Sequence, residues 1–303
     1  MKHRTSLVHD NPHVSIVIPA FNEEDYLGPC LKTLQYQTTD VPFEVIVVDN
    51  NSSDNTAKIA KEYGARVVYE PLQGVCAARQ AGTEVAKGQI VISTDADATF
   101  HPHYIENVMM QFKKHPNAVA IAGTPFYVDA PLWIFVYEPP LFFFSWLIYK
   151  LTGSAGYISA CNTAFKKDCF EGYNTALTQG GDEFGLLKQL KTKGSVVLDL
   201  HNPVNTSSRR LQRGFLYNVF VTLLTYYVLD YLLSKLSGRS LFGSAPAFRS
   251  KTDFVIRKRN VQVGLLMALL AIVTVYYWRH DQVLVEKFES RIHTLEQRVR
   301  KDI

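Results

Sequence analysis

Short apolar runs alternate with amphipathic stretches along the first 124 residues of the chain. Residues 14–18, 43–48 and 89–93 are largely apolar, which is typical of buried strands. Between them, apolar residues recur every three or four positions, as in residues 23–37 and 75–86, and this spacing predicts helices. Strands that alternate with helices predict an α/β fold with a mostly parallel sheet covered by helices.

Each of these three predicted strands is followed by a cluster containing polar residues, at 19–24, 49–54 and 95–97. Ligands bind outside the carboxyl ends of the strands in open parallel sheets. We therefore expect the three clusters to line one crevice.

The third cluster carries the residues most typical of a metal site. Asp95 and Asp97 are two positions apart, and residues at that spacing in an extended chain point the same way. Carboxylate oxygens suit Mg²⁺ or Mn²⁺, which usually share their remaining positions with water and substrate phosphates. The pair therefore predicts a nucleotide-diphosphate site. The alternative is an ordinary turn or helix cap, since aspartate favours both.

Composition and charge narrow the range of functions. The 303 residues, 47% of them hydrophobic, are enough for a large core, and a net charge of +4 does not indicate a nucleic-acid partner. The four cysteines lack metal-ligand spacing and are expected to be free thiols in a reducing compartment. Residues 1–12 form a polar tail without an apolar core, so we expect no signal peptide.

Arginines are the candidates for holding a diphosphate, because the chain has neither the dinucleotide fingerprint nor the P-loop motif. Arg79 lies in the predicted helix over residues 75–86, and its alternative is a solvated helix residue. Arg209, Arg210 and Arg213 form a second group that could clamp a diphosphate bidentately or form a basic, membrane-facing patch.

The clusters belong to four sequence blocks: IVIPAFNEE from residue 16, VVDNNSSDNT from residue 47, AARQAG from residue 77 and DAD from residue 95. In this order the blocks resemble those of the family 2 glycosyltransferases, which have the GT-A nucleotide-sugar fold. The resemblance covers residues 13–215. Two positions depart from the family pattern, Asn50 where an aspartate is common and Gln80 where an asparagine is common, and they leave the identity of the nucleotide open.

The resemblance implies roles for individual residues. Asp97 would bind the metal, and Asp95 would lie near the ribose or diphosphate and share the metal. The nucleotide-sugar site would be lined by Pro19, Phe21, Glu23, Asp49, Asn50, Arg79, Arg209, Arg210 and Arg213. The pair Asp182 and Glu183 would open a helix and supply the catalytic base, for which we predict Glu183. Capping of the helix is the alternative role for these acids.

Apolar segments beyond residue 130 indicate a membrane. Residues 131–151 are densely aromatic, but Glu138-Pro139-Pro140 is expected to divide them, which favours an interfacial segment over a membrane-spanning helix; core packing is the alternative. Residues 215–236 are apolar with a polar stripe, and residues 261–278 are a cleaner apolar run. Because the intervening loop is basic, the positive-inside rule favours a surface helix followed by a single span.

These observations predict a membrane-associated glycosyltransferase. Residues 13–214 would form the GT-A-like domain, with a donor half (13–124) and an acceptor half (125–214). Residues 215–260 would form a surface helix and basic linker, 261–278 a transmembrane helix, and 279–303 a helical tail with a short heptad repeat suited to homo-oligomers.

The predicted reaction is inverting and uses Mn²⁺ or Mg²⁺. A sugar would move from a nucleotide-sugar to a lipid-linked or saccharide acceptor hydroxyl at the cell membrane, with the catalytic domain in the cytoplasm. Two alternatives stay open: transfer to a polyprenyl phosphate, and a non-catalytic membrane scaffold that retains the nucleotide-sugar fold.

Overall fold

The computed structural model of the protein describes residues 5–176, 182–209, 211–216 and 218. Its strands are β1 (Val14–Ala20), β2 (Phe43–Asp49), β3 (Arg66–Tyr69), β4 (Ile90–Ser93), β5 (Ala118–Ala122), β6 (Pro125–Tyr127), β7 (Thr163–Lys166), β8 (Ser195–Leu198) and β9 (Val204–Thr206). Its helices are α1 (Glu24–Gln35), α2 (Thr56–Glu62), α3 (Val75–Val85), α4 (Tyr104–Lys114), α5 (Ile134–Thr152) and α6 (Asp182–Lys193).

Seven of the described strands form one sheet in the order β3-β2-β1-β4-β7-β5-β8. Strand β7 is antiparallel to both of its neighbours, and the other pairings are parallel. Strands β6 and β9 form a separate parallel pair. The predicted α/β class with a mostly parallel sheet is therefore confirmed.

Helices pack on both faces of the sheet because the side chains of each central strand alternate between two cores. Ile16 and Ile18 of β1 belong to one core, together with residues of α1 and α4. Val17 belongs to the other core, with residues of α3 and α6. Helix α3 packs closely because Gly82 has no Cβ: one added there would lie 2.4 Å from a methyl carbon of Val17.

Strand β1 runs through Pro19, where the apolar run was expected to stop. Pro19 pairs with Val48 of β2, whereas β4 pairs with β1 only as far as Val17. Beyond Val17 one side of β1 is therefore free of a ladder, and a proline that lacks an N–H can be accommodated there. This extension carries Ala20 to the edge where the site lies.

Helix α5 corrects the expectation that Pro139 and Pro140 divide residues 131–151. Both prolines lie inside one helix of 19 residues. An interior proline removes a backbone hydrogen bond and crowds the preceding turn, which costs about 3 kcal/mol. Packing at the two ends opposes that cost, because Trp133 and Ile134 are buried and Tyr149 packs against the core.

The segments predicted beyond residue 214 lie outside the described residues, apart from Phe215, Leu216 and Asn218. These segments are the surface helix and linker (215–260), the transmembrane helix (261–278) and the tail (279–303). Within the described part of the chain, no helix combines the length and the apolar character needed to span a bilayer.

Candidate active site

The carboxyl ends of β1, β2 and β4 lie side by side, because these strands are parallel neighbours in the sheet. The loops after β1 and β2 are hydrogen-bonded to each other. Asn22 Oδ1 accepts from the Ser53 N–H at 2.8 Å, and Thr56 Oγ1 accepts from the Glu23 N–H at 2.8 Å. The first two predicted polar clusters are therefore held together at this edge of the sheet.

Four of the residues predicted for the nucleotide-sugar site lie along this edge of the sheet. Pro19 and Phe21 are half-buried at the end of β1. Asp49 is buried and accepts from the Ser52 N–H at 3.1 Å. Asn50 uses its amide to shape the next loop: it donates to the carbonyls of Glu70 and Leu72 and accepts from the Gly74 N–H. Their contact with a nucleotide stays a prediction.

Arg79 is a buried partner of Asp95. Only 3% of Arg79 is exposed, so the alternative of a solvated helix residue is wrong. Its Nη2 donates to Asp95 Oδ1 at 2.6 Å, and its Nε donates to Ser93 Oγ at 3.1 Å. Helix α3 thereby fixes the first carboxylate after β4.

Arg209 links the third cluster to the first. It donates to both carboxylate oxygens of Glu23, at 2.8 and 2.7 Å, and its Nη2 lies 3.2 Å from Asp97 Oδ2. The guanidinium also stacks over the Tyr26 ring, 4.6 Å from its centroid. Of the other two predicted arginines, Arg213 is exposed and Arg210 lies outside the described residues.

The two aspartates differ in exposure and in charge environment. The side chain of Asp95 is 40% exposed, whereas that of Asp97 is 9% exposed. Burial raises the pKa of Asp97 to about 6, and the carboxylates of Asp95 and Glu23 add to this rise, whereas Arg209 and the Thr206 hydroxyl oppose it. Asp97 is therefore the carboxylate that gains most from a nearby cation.

Asp95 and Asp97 fit a divalent cation that also binds phosphate. They follow one strand at the shared edge of the sheet and present hard oxygen ligands. The described residues contain no group of three or more His, Cys, Asp or Glu side chains suited to one metal. Two carboxylates are enough for Mg²⁺ or Mn²⁺ at substrate sites, where phosphates and water complete the coordination.

All four cysteines are free thiols, as the sequence predicted. Burial, together with the nearby aspartates, raises the pKa of the Cys30 and Cys161 thiols above the ordinary range. Both thiols are therefore protonated and serve as small packing groups beneath the site.

The predicted catalytic acids lie at the start of α6. Asp182 is its first residue, with a side chain outside the described part of the molecule, and Glu183 is half-buried. The segment before this helix is tied to the donor half, since Gln80 Oε1 accepts from the Tyr173 N–H at 2.8 Å. Gln80, a departure from the family pattern, therefore bridges the two halves.

One further residue of the site lies outside the sequence prediction. Thr206 of β9 donates to Asp97 Oδ1 at 3.2 Å. Behind the site, Asn162, just before β7, is a buried structural amide that donates to the carbonyls of Thr124 and Asn202 and accepts from the Tyr104 hydroxyl. No local pattern in the sequence distinguished either residue.

Comparisons with known proteins agree with this geometry. The model of the family described as "Glycosyl transferase family 2" matches residues 15–173. The putative glycosyltransferase EpsH of Bacillus subtilis is 33% identical over 105 residues, which are 33% of this chain and 30% of that protein. The chondroitin synthase of Pasteurella multocida is 32% identical over 124 residues, which are 39% of this chain and 13% of that enzyme. The matched region thus spans less than a third of either relative.

Solved structures share the fold. The mannosyltransferase PcManGT of Pyrobaculum calidifontis, in complex with GDP-Man and Mn²⁺, aligns over 96% of this chain and 82% of its own with a TM-score of 0.56 and 16% identity. S. aureus TarS, in complex with UDP-GlcNAc, aligns over 65% of this chain and 58% of its own with a TM-score of 0.51 and 18% identity. Because the family model covers more than half of the chain and the strand-end clusters lie at one edge of a GT-A-like sheet, the protein belongs to glycosyl transferase family 2.

Proposed function

We propose that this glycosyltransferase is a metal-dependent, inverting enzyme that transfers a sugar from a nucleotide-sugar to an acceptor hydroxyl at a membrane. The observation that carries the proposal is the pair of arginine-bound aspartates after β4, beside the loops of β1 and β2. Carboxylates held at that edge suit a site for a metal and a diphosphate.

Donor binding rests on the residues that already hold charge at this edge. Asp97 and Asp95 would hold Mn²⁺ or Mg²⁺, whose charge offsets that of the departing nucleoside diphosphate. Arg79 orients Asp95, and Arg209 lies within reach of the same anions. The bound GDP-Man and UDP-GlcNAc of the two structural neighbours support a nucleotide-sugar donor and leave the nucleotide of this enzyme open.

Glu183 would accept the proton of the acceptor hydroxyl as that oxygen attacks the anomeric carbon. Its position in the first turn of α6 puts it on an ordered element, which a general base requires. Asp182 would cap this helix or contact the acceptor. The bond from the sugar to the diphosphate breaks as the new bond forms, so the configuration at the anomeric carbon inverts.

The exposed face of α5 supports a membrane location. Phe143, Phe144, Trp146, Ile148 and Leu151 are all exposed, although they are large and apolar. Lys150 lies over the Trp146 ring at 5.8 Å. Aromatic side chains with a lysine suit the headgroup region of a bilayer. At the other end of α5, Trp133 contacts Phe215, where the apolar segment 215–236 begins.

The same face favours one second candidate, transfer to a polyprenyl phosphate. Such an acceptor carries an oxyanion and needs no general base, whereas Glu183 favours a hydroxyl acceptor. A non-catalytic scaffold is not favoured, because the carboxylates predicted to bind the metal and to act as the base are all present, and Asp95 and Asp97 lie together at the sheet edge.

A thermal-shift screen tests the donor and the metal together. Purified protein is heated with UDP-, GDP- and dTDP-sugars, each with and without Mn²⁺. A ligand at 100 times its dissociation constant stabilises the native state by about 2.7 kcal/mol. We expect one nucleotide class to raise the melting temperature, only with Mn²⁺, and Asp97→Asn to lose that shift. An equal shift without Mn²⁺ or in Asp97→Asn would contradict the metal assignment.

Labelling of intact cells tests the topology. With one span at residues 261–278 and a cytoplasmic catalytic domain, a cysteine introduced beyond Asp281 reacts with an impermeant reagent added outside. A cysteine introduced at Ser244 does not. External labelling at Ser244 would show that both apolar segments cross the membrane.

A further inference from the structure

Both carboxylate oxygens of Asp97 are engaged within the protein. Oδ1 accepts from the Thr206 hydroxyl, and Oδ2 lies 3.2 Å from Arg209 Nη2. A cation that binds Asp97 therefore shares the carboxylate with these two contacts or replaces one of them. The arginine contact is the one that a cation opposes most, because two positive charges cannot share one carboxylate oxygen without repulsion.

Arg209 is anchored independently of Asp97. Two hydrogen bonds join it to Glu23, at 2.8 and 2.7 Å, and its guanidinium stacks on Tyr26. Hydrogen bonds to Glu23 and the charge of Asp97 raise the pKa of Arg209, although burial opposes its charge. Arg209 can thus release Asp97 and still keep the bidentate pair with Glu23.

The other arginine of the site is arranged differently. Arg79 is 3% exposed and bonds both Asp95 and Ser93, so its position is determined within the core. Arg209 retains more exposure and comes from the loop after β9, 112 positions beyond Asp97 in the chain. An arginine fork binds phosphate as well as carboxylate, so an arriving diphosphate offers Arg209 a replacement for Asp97.

We propose that Arg209 is a tethered counter-ion of Asp97 that releases this carboxylate to the divalent metal when the donor diphosphate arrives. Arg209 is then a positioning residue that couples metal binding to donor binding. Its anchor is Glu23, which keeps the guanidinium beside the diphosphate after the exchange. This inference rests on the proposed metal role of Asp97.

The test measures binding of Mn²⁺ alone, by the electron paramagnetic resonance signal of the free ion, to the full chain without nucleotide. Arg209→Gln should bind Mn²⁺ about 10- to 100-fold more tightly than the unmodified protein, because the charge pair between Arg209 and Asp97 no longer competes with the ion. If Arg209 had only a structural role, Arg209→Gln would bind Mn²⁺ more weakly than the unmodified protein, because the site would lose order.

Two further variants separate the causes. Lys113→Gln removes one positive charge from an exposed side chain in the last turn of α4 and should leave Mn²⁺ affinity unchanged. The double variant Glu23→Gln/Arg209→Gln removes the whole pair, so no unpaired carboxylate is left buried or free to bind the ion. It should bind Mn²⁺ as tightly as Arg209→Gln.

The outcomes distinguish this inference from the proposed function. If Arg209→Gln and the double variant bind Mn²⁺ no more tightly than the unmodified protein, yet Asp97→Asn weakens binding, the metal site stands and the counter-ion role is overturned. If Asp97→Asn changes nothing in any background, both are overturned. A gain in Arg209→Gln that disappears on adding Asp97→Asn supports both.

Discussion

The donor half and the acceptor half differ in how they hold their polar groups. In the donor half, adjacent loops bind each other directly, as between Asn22 and Ser53. In the acceptor half, one buried amide, Asn162, joins segments that are 38 and 40 positions away in the chain. The acceptor half also exposes several large apolar residues along one helix, α5, whereas exposed apolar residues of the described donor half, such as Tyr69 and Met110, lie on different elements.

This difference has a physical consequence for the two substrates. A donor with a diphosphate needs fixed charges, and hydrogen bonds between neighbouring loops hold such charges with little loss of order. An acceptor reaches the site from outside, where a helix with an open apolar face can meet a lipid surface. We infer that the donor half is preorganised, whereas α5 of the acceptor half faces the surface from which the acceptor arrives.

The largest expected effect concerns the chemistry of the acceptor half. Glu183→Gln keeps the shape of the side chain and removes the base, so turnover should fall about 10²- to 10⁴-fold while donor affinity is retained. Asp182→Asn serves as the matched variant and should have a smaller effect. Steady-state rates together with donor binding measure both. If only Asp182→Asn loses turnover, the two acids exchange roles; if neither does, a polyprenyl phosphate becomes the favoured acceptor.

Two glycine substitutions compare packing inside the donor half with packing against Asn162 of the acceptor half. A Cβ at Gly123 would lie 2.3 Å from the Asn162 amide nitrogen, which two carbonyls hold in place, so Gly123→Ala should cost about 1–3 kcal/mol in the free energy of unfolding. In Gly82→Ala the new methyl is nearest to the buried side chains of Val17 and Val48, which can shift without breaking a hydrogen bond. Urea denaturation should therefore find the smaller loss at Gly82. A larger loss at Gly82 would show that packing inside the donor half is the less adaptable.

The next largest effect is expected at the exposed surface of α5. Phe143 and Phe144 are 50% and 59% exposed, so replacing both by serine should change the free energy of unfolding by no more than about 0.5 kcal/mol. Binding to anionic lipid vesicles should weaken about tenfold or more, because two aromatic side chains no longer enter the interface. Co-flotation with vesicles measures this. Met110→Ser, at an exposed apolar residue of α4, is the control, and an equal loss there would contradict a specific role for α5.

The smallest effect is expected at Gly185, in the first turns of α6. A Cβ there would meet nothing within 4 Å. Gly185→Ala should stabilise the protein by up to about 1 kcal/mol, because alanine loses less backbone freedom in a helix. Thermal or urea unfolding can detect the change. A destabilised variant would indicate that a methyl group at residue 185 meets neighbouring atoms.

Sequence patterns predicted the donor half in detail. The strand predicted at residues 43–48 is β2, the helix predicted at 75–86 is α3, and the strand predicted at 89–93 is β4, each within one residue at either end. These elements follow local periodicity, which tertiary contacts reinforce. Helix α5 shows where a local rule fails. Its prolines predicted a break, but Trp133 and Tyr149, near its two ends, pack against the protein and oppose one.

The sequence by itself determined the α/β class, the family and the position of Asp95 and Asp97 at a strand end, because each depends on residues close together in the chain. Only the tertiary structure decided which charges meet. Arg209 was one of three candidate arginines, and its pairing with Glu23 spans 186 positions. Strand β7 likewise enters the sheet between β4 and β5 in the antiparallel direction. Such pairings depend on where distant segments return in space, and no local pattern of side chains carries that information.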